Sequence, residues 1–408
     1  MTAGTAAATP TGPWTPRVGF SLGVLAAAAF IYVTAEIMPV GALPAIAADL
    51  GVSVAVVGTL LASYALVAAV ATVPLVRWTA LWPRRRTLLF TLVCLTVSQV
   101  ISALAPTFAV LALGRVLCAV THGLMWSVIA PIGVRLVPAT HAARATMAVY
   151  VGTGLALVIG SPLTAAMSGL WGWRPAVAMI AVAAAIVTLA ARLVLPPMTP
   201  PVRGGPGAVP RRPWHQQNRR LLVMCLLTLV GVTGHFISYT FIVVIIGDIV
   251  GVRGPGLAWL LAGYGVAGLM TMALLARPGD RHPRLAIVGC LAVLTLVLAW
   301  LAVLGFVGGG TAVLVGLGSA AIIGWGATAT AVPPMLQSAA MRHSPTDPDG
   351  ASGLYVAAFQ VGIMAGSLIG GALYEHAGEP TMLATSAVFI VAVLAAVLAG
   401  PNLFASGK

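Results

Sequence analysis

The stretch PPMTPPVRGGPGAVPRRPWHQQNRR, residues 196–220, divides the chain into two apolar halves. It is too rich in Pro, Gly and Arg to cross lipid, because proline breaks the helical hydrogen-bond ladder and buried charge is costly in hydrocarbon. It reads as a flexible basic linker. The rest of the sequence has a different character. Of 408 residues 60% are hydrophobic and 7% charged, whereas soluble domains are about 25% charged. A bilayer is the solvent that suits such a chain. At roughly 20 apolar residues per crossing, the length accommodates about a dozen spans. A membrane barrel would need period-2 alternation, which the long Leu, Ala and Val runs lack, so the spans are helices.

Apolar runs predict helices over 18–43, 54–77, 87–104, 107–137, 145–168 and 175–195 before the linker. After it they predict helices over 221–247, 256–277, 285–306, 311–341, 350–374 and 380–404. The expected organisation is a disordered tail (1–16), a six-helix bundle (17–195), a cytoplasmic linker (196–220) and a second six-helix bundle (221–404). Arginines sort the gaps. Arg84, Arg85 and Arg86, then Arg135 and Arg144, the linker, and Arg277, Arg281 and Arg284 alternate with gaps almost free of them. Basic loops stay in the cytoplasm, so a multi-pass protein of a bacterial inner membrane with both termini inside is expected. The halves echo each other: WPRRRTLL (82–89) follows the second helix and DRHPRLAI (280–287) the eighth. A formal charge of +13 would suggest nucleic acid in a soluble chain, but here it marks topology and no nucleic-acid partner is expected. Cys94, Cys118, Cys225 and Cys290 lie inside apolar runs, without disulfide or zinc spacing.

Of the eight acidic residues, Glu36 alone falls inside a predicted span, where an ionisable group is costly unless it faces a cavity or a partner. Arg115, on the fourth helix, lies at nearly the same depth. The two could pair, either as a titrating couple in which Arg115 favours and burial disfavours the charged carboxylate, or as a permanent bridge between helices 1 and 4. His122 with Trp126, and His235 with Tyr239, are four residues apart and so share a helical face. Each pair suits a ring-bearing polar ligand or interhelical packing. Tyr32 joins the Glu36 face, and Gln337 and Gln360 are weaker candidates for the same cleft. Gly152, Gly160 and Pro162, and Gly362, Gly366, Gly370 and Gly371, predict close helix packing at the interface between the halves. There is no P-loop, HExxH or GxSxG motif, so no enzyme activity and no metal or other cofactor is expected.

Several segments taken together resemble one family. FIYVTAEIMPVGALPAIAADLGVS (30–53), GRVLCAVTHGLMWS (114–127), GTGLALVIGSPL (152–163), GWR (172–174), GHFISYT (234–240) and LYVAAFQVGI (354–363) are similar to the drug:proton antiporter branch of the major facilitator superfamily, especially its sugar-efflux and chloramphenicol-exporter members. The resemblance implies an all-α fold of two pseudo-symmetric six-helix bundles with alternating access driven by a proton gradient. It implies proton coupling at Glu36, a motif arginine at Arg115, and an antiporter motif at Gly160 and Pro162, with Ser161 intervening. The inner loop after the second helix departs from the family pattern Gly-x-x-x-Asp-Arg-x-Gly-Arg. It reads VRWTALWPRRR (76–86) and has no acid. Arg84, Arg85 and Arg86 face an inner gate whose acid–base pair survives in the second half as Asp280 and Arg281. The expected function is export of a sugar, nucleoside or drug-like molecule by a monomer in exchange for protons. Proton symport of a polar solute is the alternative.

Overall fold

The computed structural model describes residues 14–52, 54–198, 219–253, 255–308, 311–345, 347–400 and 404. Most of the linker and of the N-terminal tail lies outside these. Among the described residues eleven helices are long and apolar enough to cross a membrane. The first bundle comprises α1 (Pro16–Gly41) with the short α2 (Leu43–Leu50), α3 (Val54–Trp78), α4 (Arg84–Ala103), α5 (Phe108–Arg135), α6 (Ala142–Leu155) running through a π-turn into α7 (Ser161–Trp171), and α8 (Trp173–Val194). The second comprises α9 (Arg219–Tyr239) with α10 (Ile242–Val244), α11 (Pro255–Arg281), α12 (Pro283–Val307), α13 (Ala312–Arg342) and α14 (Pro348–Ala399). The 52 residues of α14 are broken by Gly378 at φ 77°, a left-handed value that a side chain would resist. At about 1.5 Å per residue it is long enough for two crossings of a ~30 Å core, so eleven helices make twelve spans.

Two features of the sequence shape the ends and breaks of these helices. Thr15 accepts from the Val18 N–H at 3.3 Å and caps α1, while the Trp14 ring lies 6.0 Å from that of His141. The last residues of the expected tail are therefore ordered, a correction to the 1–16 boundary. The first span also stops at Gly41 and restarts as α2, and the seventh stops at Tyr239 before α10. Both helices, the first of their bundles, are interrupted near their C-terminal ends.

Large apolar side chains such as Leu170, Leu193, Leu274 and Val307 are exposed around the perimeter, as a lipid-facing surface requires. Polar side chains point inward. Ser238 on α9 meets Ser386 on α14 at 2.6 Å, and many Thr hydroxyls donate to the carbonyl one turn back, the usual way of satisfying a hydroxyl inside a membrane helix.

The glycines behave differently from the expectation. A Cβ on Gly152 would sit 1.9 Å from the Ala26 carbonyl oxygen, and one on Gly160 2.3 Å from Thr34 Oγ1. On α14, a Cβ on Gly362, Gly366 or Gly370 would press on Val232, the Thr233 oxygen or the Ile237 oxygen of α9. These glycines let α6–α7 close on α1 and α14 close on α9, equivalent contacts inside each bundle and not between bundles. Pro162 begins α7. Across the interface Gly154 against Leu269 and Gly265 against Val158 approach most closely, with Gly353 against Val76 and Gly279 against Met147 slightly looser, none of which periodicity had singled out.

Candidate functional site

Pro39 has no N–H, so the carbonyl of Ala35, one turn earlier in α1, has no helical donor. Arg115 on α5 supplies it. Its Nη1 donates to the Ala35 oxygen at 2.5 Å and its Nη2 to the backbone oxygen of Glu36 at 2.7 Å. The guanidinium also lies 4.8 Å from the Tyr64 ring centroid, close enough for a cation–π attraction. The expected Arg115–Glu36 side-chain pair is thus replaced by a staple on a proline-interrupted backbone, and this is a correction.

The Glu36 carboxylate instead lies 3.9 Å from Nε2 of His122, with its side chain 18% exposed and that of His122 5% exposed. Nδ1 of the same ring is 2.8 Å from the Tyr64 hydroxyl. Tyr32 donates to the Thr91 carbonyl at 2.9 Å and shares a 3.1 Å bond with Thr121, and its ring meets His122 edge-on at 5.9 Å. Trp126 lies 6.2 Å from His122 and 5.1 Å from Tyr150. At about 1.5 Å per residue, Glu36 and Arg115 are each some 30 Å from the Arg-bearing end of their helix, and His122 and Tyr64 about 20 Å.

The second bundle holds a matching cluster. His235 stacks on Tyr239 at 4.9 Å, Tyr239 approaches Tyr264 at 5.8 Å, and Trp325 Nε1 donates to His235 Nδ1 at 3.1 Å. Accepting at Nδ1 leaves the ring proton on Nε2 as a donor. His235 and Tyr239 are half-buried, whereas Trp325 is fully buried. A firm base therefore carries two partly accessible polar rings.

Tyr64, Tyr150, Tyr264 and Trp325 were not singled out from the sequence. The available signal was their polar tips inside apolar helices, each needing a partner when buried. Gln337 is corrected: its amide donates to Ser352 at 2.9 Å and to the Trp126 carbonyl at 3.3 Å, which ties the bundles together in this conformation. Gln360 is buried in the first half of α14.

The end of the molecule that carries the Arg-rich segments is sealed by two ion-pair clusters that cross the interface. Arg84, 1% exposed, donates from Nε to Asp349 Oδ2 at 2.7 Å, and Arg135 reaches the same oxygen at 2.8 Å. Asp280 accepts from Arg144 at 2.5 Å and from the Ala143 N–H at 2.8 Å, at the start of α6. These two seals are symmetry mates with their charges exchanged. In one, the last turn of α11 carries the acid and the start of α6 the base. In the other, the start of α4 carries the base and the start of α14 the acid. The acid missing from 76–86 is therefore on the facing helix, where a carboxylate is also favoured by the helix dipole. Arg85 turns to the Arg192 carbonyl and Arg86 lies over Trp82, both within the first bundle. Arg281 is exposed and the Asp280 carboxylate is held by Arg144, so the expected Asp280–Arg281 pair is corrected.

At the opposite end Arg174 and Trp173 hydrogen-bond to Asp49 and hold its carboxyl below the ordinary range.

Two six-helix bundles, a polar ring cluster within each, and charge seals across their interface at one end define a membrane transporter. The Major Facilitator Superfamily model matches residues 25–350 and 224–406, and the chain belongs to that superfamily. It is 62% identical over 395 residues, 96% of this chain and 95% of the relative, to chloramphenicol efflux pumps from the H37Rv and CDC 1551 strains of Mycobacterium tuberculosis. Its fold is similar to that of the human organic anion transporter MFSD10 (TETRAN), with a TM-score of 0.77 at 15% identity over 94% of this chain and 100% of that one. It is also similar to the E. coli fucose:proton symporter FucP, at 0.73 and 14% identity over 92% and 97%. At such identities the likeness is one of fold.

Proposed function

We propose that this protein exports chloramphenicol or a similar small aromatic, hydroxyl-bearing molecule in exchange for protons, with Glu36 as the proton-binding group. The reading is carried by Glu36, a carboxylate deep in a transmembrane helix that faces His122 while Arg115 is engaged by backbone. The likeness to chloramphenicol efflux pumps supports the direction and the substrate class. Substrate enters from the cytoplasm between the two ring clusters, where His235 Nε2–H donates, the Tyr239 hydroxyl donates or accepts, and the rings stack. A proton arriving from outside neutralises Glu36, and the two occupancies alternate. One charge per cycle draws about 2.3 kcal/mol from each 100 mV of membrane potential. The protein acts in the bacterial inner membrane with both termini and the linker in the cytoplasm, and no further cofactor enters the cycle.

Everted vesicles containing the protein test this reading. Imposing an acidic lumen should drive labelled chloramphenicol into the vesicles, and a protonophore should stop it. Uptake into vesicles whose lumen is alkaline would assign the protein to symport, and uptake indifferent to pH would remove proton coupling.

The second cluster makes a separate prediction. His235→Asn keeps an acceptor near the Nδ1 position for the Trp325 indole but loses the Nε2 donor, so KM should rise about fivefold while the melting temperature holds, since a hydrogen bond is worth about 1 kcal/mol. His235→Ala leaves the buried indole N–H unpaired and should lower the melting temperature as well. Unchanged kinetics in His235→Asn would assign the ring to packing.

A further inference from the structure

The imidazole facing Glu36 is itself held from behind. The Tyr64 hydroxyl is 2.8 Å from His122 Nδ1 and 3.4 Å from Cys118 Sγ. A phenol has one proton to donate. Two neighbours direct that proton to the histidine. The Cys118 thiol, fully buried, can donate to the phenol oxygen, and Arg115 lies against the Tyr64 ring at 4.8 Å, where a positive charge favours donation by the phenol over acceptance. With Nδ1 accepting, the ring proton sits on Nε2, the nitrogen that faces Glu36 Oε2 at 3.9 Å. That separation exceeds a hydrogen bond. The Glu36 side chain is part-exposed, so a rotamer change closes the gap, and contacts of this kind are commonly long before ligand binds.

We propose that Tyr64 is a positioning residue for proton coupling: it fixes the His122 tautomer so that Nε2–H points at Glu36 and favours the carboxylate form. This rests on the reading of Glu36 as the proton-binding group. The titratable and charged groups around the pair are Tyr32 on α1, Tyr64 on α3, Arg115 and Cys118 on α5, and, behind Tyr32 and Trp126 respectively, Cys94 on α4 and Tyr150 on α6. Arg115 is the permanent charge in that set. It stabilises the carboxylate through space and is unaffected by the tautomer, so the effect of Tyr64 is separable from it. A cationic imidazole next to Arg115 would be disfavoured, which keeps His122 a neutral donor and leaves the proton to Glu36.

Tyr64→Phe is the decisive variant, because it keeps the ring under Arg115 and removes only the hydroxyl. In proteoliposomes, the protonation of Glu36 is followed by the infrared C=O stretch of its neutral carboxyl during a pH titration, with Glu36→Gln identifying the band by its loss. Tyr64→Phe should raise the midpoint of that band by about one pH unit, a tenfold gain in proton affinity, at unchanged melting temperature. The pH optimum of transport should move the same way. His122→Phe should raise it similarly, and the double variant no further, because the two act as one unit. A midpoint that stays put or falls in Tyr64→Phe, with the band present, overturns the proposal. Loss of the band in Glu36→Gln together with undiminished pH-driven transport would overturn the coupling reading instead, so the two failures are distinct.

Discussion

Replacing Glu36 by Gln is expected to abolish accumulation of substrate against a gradient while leaving the protein folded and able to bind. The expectation of stability follows from where Arg115 is anchored. Had the guanidinium been paired with the Glu36 carboxylate, the substitution would strand a buried cation at about 3–5 kcal/mol. Its nitrogens instead hold the carbonyls of Ala35 and Glu36, which Gln leaves in place. The change in stability should stay within about 1 kcal/mol. Arg115→Met should do the reverse of this. It strips the donor from the Ala35 carbonyl that Pro39 leaves unserved, costs about 1–3 kcal/mol for that group, and loosens α1 beside Glu36. The measurements are thermal melting in detergent, equilibrium binding at fixed pH, and pH-driven uptake in proteoliposomes. Wild-type uptake by a stable Glu36→Gln protein would remove Glu36 from the coupling role.

Asp349→Asn should have the larger structural effect. The carboxylate compensates Arg84, which is almost wholly buried, and half-exposed Arg135. Its loss removes the hydrogen-bonded counter-charge of Arg84 in a low-dielectric seam and leaves only the weaker attraction of Asp347, and breaking a buried pair in this way typically costs 3–5 kcal/mol, about a thousandfold in an equilibrium. Because the pair crosses the bundle interface, that penalty applies to the inward-closed state and is relieved when the seam opens to water. The variant should populate the inward-open state, read as faster modification of cysteines introduced on the cytoplasmic face or as longer spin–spin distances there. Combining Arg84→Met with Asp349→Leu replaces the pair by apolar contact and should restore closure. A seal unaffected by Asp349→Asn would mean that the Asp280–Arg144 cluster closes the inner side alone.

The positions of the spans were legible in the sequence because a bilayer imposes a simple rule on every segment, namely about 20 apolar residues with basic loops on one side. Glu36 was legible for the same reason: one carboxylate in hydrocarbon stands out without any structure. What pairs with what was not. Arg115 and Glu36 share a depth, and depth alone suggests an ion pair. Only the packing of α5 against the Pro39 interruption reveals that the arginine serves backbone oxygens and leaves the carboxylate to His122.

The same limit applies to the inner seal and to the aromatic base of the second cluster. The sequence by itself determined an all-helical membrane protein of two six-helix halves, the charge asymmetry of its loops, and one candidate proton-binding acid, since each of these depends on local composition. The tertiary structure alone decided that Arg84 meets Asp349, 265 residues away, that Trp325 orients His235, and that the glycines of α6 and α14 pack within bundles. Hydropathy measures how each residue partitions into lipid, whereas these contacts depend on the rotation of each helix about its axis. That rotation is set jointly by every neighbour the helix packs against.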